Sequence, residues 1–321
     1  MKPDSRIYVA GHTGLAGSAL VRALRGAGLR NLVLRPHAEL ELADTRAVAA
    51  FFERERPEYV FLAAAKVGGI LANDRYPADF IRDNLAIELN VICEAARAGV
   101  KRLLLLGSSC IYPRDCPQPM KEEHLLTGPL ESTNRAYAVA KIAGIELCWS
   151  YNRQHGTRFL AAMPTNLFGP GDHYDLETSH VLPALIRKVH EAKGRSERTV
   201  TVWGSGRPRR EFLYADDMAE ACVHLMRLPE EAFARLTAPD AAPLINIGTG
   251  KDLSIAELAA MVGEAIGYEG GILYDASKPD GTPRKLLDTS RLAALGWRPR
   301  IGLREGITLA YGDFLARKAV A

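Results

Sequence analysis

The stretch GHTGLAG, residues 11–17, constrains the chain more than any other. Its glycines, Gly11, Gly14 and Gly17, recur every third residue directly after the β-rich run Arg6 to Ala10 (RIYVA). Helical spacing follows from Ala16 to Gly28, with Ala19, Leu20, Ala23 and Leu24 on one side. A tight turn from strand to helix delivers backbone N–H groups to a phosphate at the helix amino terminus, where side chains would block the approach. The spacing is GxxGxxG rather than GxGxxG, so the glycines alone also fit close helix packing; the strand-turn-helix setting favours phosphate.

The same alternation continues along the chain. Asn31 to Arg35 (NLVLR), Tyr59 to Ala65 (YVFLAAA), Lys101 to Gly107 (KRLLLLG), Arg158 to Pro164 and Leu244 to Ile247 read as strands. Thr45 to Glu55, Asp83 to Ala98, Tyr137 to Gln154, Asp216 to Met226 and Ser254 to Ile266 read as helices. Buried strands alternating with helices predict an α/β fold: a doubly wound parallel sheet of Rossmann type. Phe168 to Arg210 mixes Gly, Pro, His and charge around one helix, Pro183 to Ala192, and so predicts a portion outside the main sheet. With 321 residues, a second unit is expected. The division is 1–165 and 211–248 for the dinucleotide-binding domain, 166–210 and 249–321 for a smaller α/β substrate-binding domain.

Composition narrows the function. The 41 basic and 38 acidic side chains leave a formal charge of +3 with no basic block, which argues against nucleic acid as partner. Five cysteines without CxxC spacing imply a reducing, cytoplasmic setting and neither disulfides nor a metal site. The start, MKPDSRIYVAGHTG, has no signal-peptide pattern, and no apolar run approaches the ~18 residues of a membrane span.

A cofactor's adenosine ribose is read at the end of the second strand: by an acid when it carries a 2′-OH, by a cation when it carries a 2′-phosphate. Arg35 stands there, His37 follows, and no carboxylate occurs before Glu39, which predicts NADP(H). Tyr137 and Lys141 in YAVAK share one helix face, where an ammonium lowers the phenol's pKa and makes it a proton donor. Ser108 or Ser109, after LLLLG, falls at the carboxyl edge of the sheet and can hydrogen-bond a substrate carbonyl.

These features together resemble the extended short-chain dehydrogenase/reductase family. Within it, GSSCIYP, ESTNRAYAVAKIAG, MPTNLFGP, VWGSGRPRREFLYADDMA and DASKPDGTPRKLLD are similar to members that act on GDP-4-keto-6-deoxy-D-mannose, and the resemblance runs from GHTG to LGW. It implies inversion at C3 and C5 followed by NADPH-dependent reduction at C4, with Cys110 as base, His180 as acid and Ser108, Tyr137 and Lys141 at the ketone. It further implies a cofactor site of Gly11, Thr13, Gly14, Leu15, Ala16 and Gly17 with Arg35 and His37. Leu106, Gly107, Ser109, Lys141, His180 and the run Pro164, Thr165, Asn166, Leu167 complete it. The GDP end falls to Lys188, Trp203, Arg210, Asp280 and Lys285, and a homodimer to the helices Asp83 to Ala98 and Tyr137 to Gln154. Thr13 and His37 stand where relatives carry arginines, which leaves Arg35 as the chief cation. Another nucleotide-sugar epimerase or reductase, or a silent NADP-binding sensor, are the competing readings.

Overall fold

The computed structural model describes residues 1–319 except Glu177 and Pro279, so Val320 and Ala321, the end of the expected 249–321 portion, lie outside the described residues. The chain opens with β1 (Ile7–Ala10), α1 (Leu15–Gly26), β2 (Leu32–Val33), α2 (Thr45–Glu55) and β3 (Tyr59–Leu62). Asp44 starts α2 by accepting the Arg46 and Ala47 N–H groups at 2.9 and 3.1 Å. Next come α3 (Ile70–Arg75), α4 (Pro77–Arg97), β4 (Arg102–Leu106), α5 (Arg135–His155) and β5 (Phe159–Pro164).

After β6 (Asn166–Phe168) the chain forms α6 (Val181–Gly194), β7 (Thr199–Trp203), β8 (Arg209–Tyr214), α7 (Ala215–Arg227) and α8 (Glu230–Leu236) before returning to β9 (Leu244–Ile247). It closes with β10 (Asp252–Ser254), α9 (Ile255–Ile266), β11 (Gly271–Asp275), β12 (Arg284–Lys285), α10 (Ser290–Ala294) and α11 (Leu303–Lys318).

Six parallel strands form the central sheet in the order β2-β1-β3-β4-β5-β9. Its strands are apolar on both faces because helices cover both. Tyr8, Leu103 and Leu105 enter one core, while Ile7, Val9, Leu104 and Leu106 enter the other. The order reverses between β1 and β3, where such sheets open a ligand crevice at their carboxyl edge. A third core gathers Phe168, Ile186, Val189, Phe212, Leu258 and Ile307 around a smaller sheet in which β10, β12 and β6 all pair with β8.

Two buried polar groups tie these layers. Asn246 on β9 accepts the Tyr112 hydroxyl at 2.6 Å and donates to the Met120 and Asp288 carbonyls at 3.0 and 3.1 Å, which fixes the segment after β4. Glu211 on β8 accepts the N–H groups of Thr249, Gly250 and Leu287 at 2.5, 2.7 and 2.9 Å.

Some boundaries differ from the sequence reading. The helix expected from Asp83 starts at Pro77, whose fixed φ suits a first helical position. The strand expected through Ala65 ends at Leu62, and NLVLR pairs only over Leu32–Val33. The segment read around one helix also holds β7, whose alternation buries Val200 and Val202 and exposes Trp203.

Candidate active site

The three glycines of the first turn serve different ends. Gly11 sits at φ +82°, and a Cβ there would lie 2.7 Å from the Ala64 backbone at the end of β3. A Cβ on Gly17 would overlap the Gly11 carbonyl. Gly14 caps α1 with no side-chain hydrogen bond and has ordinary room for a Cβ, 3.6 Å from the nearest heavy atom. The fold therefore requires Gly11 and Gly17, while openness at Gly14, beside the free N–H groups of a helix start, fits an approaching phosphate.

The crevice beyond this turn is a cavity of about 830 Å³ along the carboxyl ends of β1, β3, β4 and β5. Every residue expected at the cofactor lines it: Gly11 and residues 13–17, Arg35 and His37, Leu106, Gly107 and Ser109, Lys141, residues 164–167, and His180. Ala63, Ala64, Ala65 and Lys66 also form its wall and were not singled out in the sequence, where AAA reads as the end of a strand.

Arg35 lines the cavity with both terminal nitrogens of its guanidinium engaged. Its Nη2 donates to Glu55 Oε1 at 2.7 Å and its Nη1 to the Leu34 carbonyl at 2.8 Å. Burial pushes the Glu55 carboxyl up, but Arg6, Arg54 and Arg35 all pair with it and hold it below the usual carboxylate range. Arg6, Arg54 and Arg35 share Glu55, and Arg35 Nε also lies 3.9 Å from Glu39 Oε2, so this corner keeps one positive charge in excess, as a 2′-phosphate needs. His37 is committed to Glu41, with Nε2 2.5 Å from Oε2.

Tyr137 and Lys141 stand one turn apart on α5, as their spacing predicts. Lys141 Nζ donates to the Leu106 carbonyl at 3.0 Å, lies 2.9 Å from Glu88 Oε1, and is 5.8 Å from the centre of the Tyr137 ring. The phenol pKa is not lowered as expected: burial raises it well above its ordinary value, Cys110 and Glu88 add to the rise, and the ammonium is turned toward other acceptors. Phe80 meets the Tyr137 ring edge-on, with centroids 6.3 Å apart. Ser108 follows β4 and caps the short turn 109–111, its Oγ accepting the Cys110 N–H at 3.4 Å.

Cys110 is buried behind Ser108 and does not line the cavity. Burial raises its thiol pKa, opposed by Lys285, Ser108 and Lys141. His180 opens α6 and faces the cavity. Its ring is accessible through that cavity yet surrounded by protein, and this desolvation, then His173 and Lys285, pushes its pKa down. The two groups thus depart from neutrality in opposite directions, and both feel the charge of Lys285.

The five residues expected at the GDP end gather in the smaller lobe rather than in the cofactor cavity. Lys188 Nζ lies 5.0 Å above the ring of Trp203, which is 48% exposed. Arg210 and Lys285 are register partners on β8 and β12. Asp280 accepts the Ser205 N–H and hydroxyl at 2.6 and 2.7 Å and so also clamps its own loop.

The profile of the NAD dependent epimerase/dehydratase family matches residues 7–239. The chain is similar to GDP-L-fucose synthase of Escherichia coli (strain K12), 54% identical over 310 residues that cover 97% of this chain and 96% of that protein. It is also similar to GDP-L-fucose synthase 1 of Arabidopsis thaliana, 53% identical over 97% of this chain and 94% of that one. Among solved structures, a GDP-L-fucose synthetase from Naegleria fowleri bound to NADP superposes with a TM-score of 0.86 at 28% identity, covering 100% of this chain and 97% of that one. A GDP-6-OMe-4-keto-L-xylo-heptose reductase from C. jejuni superposes with a TM-score of 0.90 at 38% identity, covering 99% of both. With a doubly wound sheet, a phosphate-binding turn and matches of this length, the chain belongs to the NAD dependent epimerase/dehydratase family.

Proposed function

We propose that this chain converts GDP-4-keto-6-deoxy-D-mannose to GDP-L-fucose, inverting C3 and C5 and then reducing the C4 ketone with NADPH. The observation that carries this reading is the convergence of Ser108, Tyr137, Lys141 and His180 on the cavity that begins at α1, with Cys110 directly behind Ser108. Identity of 54% to the Escherichia coli enzyme of that name supports the same substrate.

The N–H groups of residues 15–17 would hold the cofactor's pyrophosphate, Arg35 its 2′-phosphate and Lys141 its nicotinamide ribose, while residues 164–167 would line the nicotinamide. Bound NADPH supplies the hydride. Ser108 and Tyr137 donate hydrogen bonds to the C4 oxygen and steady the enolate that forms when a proton leaves C3 or C5. Cys110, as thiolate, removes that proton, and His180, as imidazolium, returns one from the opposite ring face. Tyr137 finally gives its phenolic proton to the C4 oxygen. Lys188, Trp203, Arg210, Asp280 and Lys285 receive the GDP portion, so that the portion 166–210 with 249–321 acts as the nucleotide-sugar domain. We further infer a cytoplasmic homodimer joined through α4 and α5, whose Leu89 and Val139 are 54% and 37% exposed.

Incubation with NADPH and GDP-4-keto-6-deoxy-D-mannose, followed by NMR identification of the sugar, tests the reading. GDP-L-fucose is the expected product. A reduced sugar unchanged at C3 and C5 would make the chain a simple 4-reductase. Absence of NADPH oxidation would remove the activity altogether.

A further inference from the structure

Glu88 lies on α4 and is directed toward α5, with 2% of its side chain exposed, and its Oε1 is 2.9 Å from Lys141 Nζ, itself 1% exposed. The contact is an ion pair, and neither Glu88 oxygen has an aligned hydrogen bond. A carboxylate this far from water is destabilising unless a countercharge holds it. The fold makes room for it at Gly144, where a Cβ would overlap Glu88 Oε2 and approach Leu105 Cδ2 to 2.9 Å. A glycine inside a helix is less favourable than alanine by about 1 kcal/mol, so the middle of α5 gives up helix stability at the one place where this carboxylate enters.

We infer that Glu88 is a positioning residue: by pairing with Lys141 it draws the ammonium away from Tyr137 and so sets how readily the phenol releases its proton. The inference rests on the reduction role given above to Tyr137 and Lys141. The titratable groups facing Glu88 come from α5: Lys141, Tyr137 and Cys148; Cys110, after β4, reaches Tyr137 in turn. Burial pushes the Glu88 carboxyl up and Lys141 opposes the rise; in its ionised form Glu88 resists ionisation of the phenol, whereas an ammonium favours it. With the carboxylate neutralised, one of the groups that resist ionisation of Tyr137 is gone, while burial and Cys110 remain.

Glu88→Gln, Glu88→Asp and Gly144→Ala test this in the full-length enzyme. Two readouts are compared: the pH profile of NADPH-dependent reduction, and the titration of Tyr137 by ¹³Cζ-tyrosine NMR without cofactor, assigned with Tyr137→Phe. In Glu88→Gln the alkaline limb of the profile and the NMR midpoint should both move down by roughly one pH unit. Glu88→Asp should stay near the parent. Gly144→Ala, which displaces the carboxylate without removing it, should move in the same direction as Glu88→Gln. A Glu88→Gln enzyme slowed by one constant factor at every pH, with an unmoved NMR midpoint, would overturn the inference. Should Glu88→Gln fail to fold by circular dichroism, an unmoved limb and midpoint in Gly144→Ala overturn it instead. A parent enzyme that does not oxidise NADPH with the keto-sugar sinks the reduction reading, while the NMR titration still decides the role of Glu88.

Discussion

Arg35 Nη2 lies 2.7 Å from Glu55 Oε1, and the same carboxylate pairs with Arg6 and Arg54, so the cation at the end of β2 is held in place from behind. A guanidinium fixed in this way presents its remaining donors to a 2′-phosphate with little rotamer entropy left to lose. Arg35→Ala should raise the KM for NADPH by about tenfold, as expected for one charge-assisted hydrogen bond to phosphate, and leave the KM for NADH nearly unchanged. Steady-state kinetics with both cofactors checks this, and equal changes for the two would show that Arg35 does not read the phosphate.

Cys110 and Tyr137 are assigned to separate steps, so their variants should separate them. Cys110→Ser should cut solvent deuterium incorporation at C3 and C5 by about 100-fold or more, the usual weight of a general base, with NADPH affinity retained because Cys110 does not line the cofactor cavity. Tyr137→Phe keeps the ring that meets Phe80 and should block net reduction by a similar factor. Mass spectrometry of the sugar and NADPH absorbance report the two steps separately.

The proton-exchange step should follow a broad bell in pH. Burial and nearby cations place the His180 pKa below the ordinary imidazole value, and burial places that of Cys110 above the ordinary thiol value. Exchange needs one group protonated and the other not. The rate therefore falls on the acid side as both become protonated, below the ordinary imidazole range, and on the alkaline side as both lose protons, above the ordinary thiol range. His180→Asn should abolish the acid limb. A deuterium-exchange profile whose acid limb lies above pH 7 would contradict the environment described for His180.

Asp172, in the loop after β6, is raised to about 7 by burial; the His173 N–H and Arg317 resist the rise and Asp313 adds to it. In the unfolded chain an Asp carboxyl ionises near 3.9. Between those values the folded protein keeps a proton that the unfolded chain releases, so stability falls as pH rises through this window and levels off above it. Asp172→Asn should flatten that decline and gain roughly 4 kcal/mol at pH 8. Urea unfolding from pH 4 to 8 measures both, and parallel curves for the two proteins would show Asp172 ionising normally.

What the sequence revealed and what it hid divides along chain separation. GHTGLAG and YAVAK act within one turn of backbone, so the spacing of Gly11, Gly17, Tyr137 and Lys141 already contains their geometry. Glu88 carries no such mark: it matters because α4 packs on α5 and Gly144 leaves it space, a relation between distant segments. The pairing of Arg210 with Lys285 is hidden for the same reason, since β12 is a two-residue strand with no pattern of its own. Pro77 begins α4 six residues before the helix expected from Asp83, because proline's fixed φ suits a first helical position. The pKa of Tyr137 is not legible in the spacing, which reports the neighbouring ammonium but not the burial that raises it.

The central role of β8 also bears on synthesis. β6, which continues from the wall of residues 164–167, is paired to β8, while β10 and β12 complete that small sheet and the Leu287 N–H closes on Glu211. A ribosome that has already released all six strands of the large sheet has therefore not yet delivered a finished cleft. One side of that cleft stays unbuttressed until β12 and Leu287 have followed β9 out, which makes ligand capture a late event in the life of the nascent chain rather than an early aid to its folding.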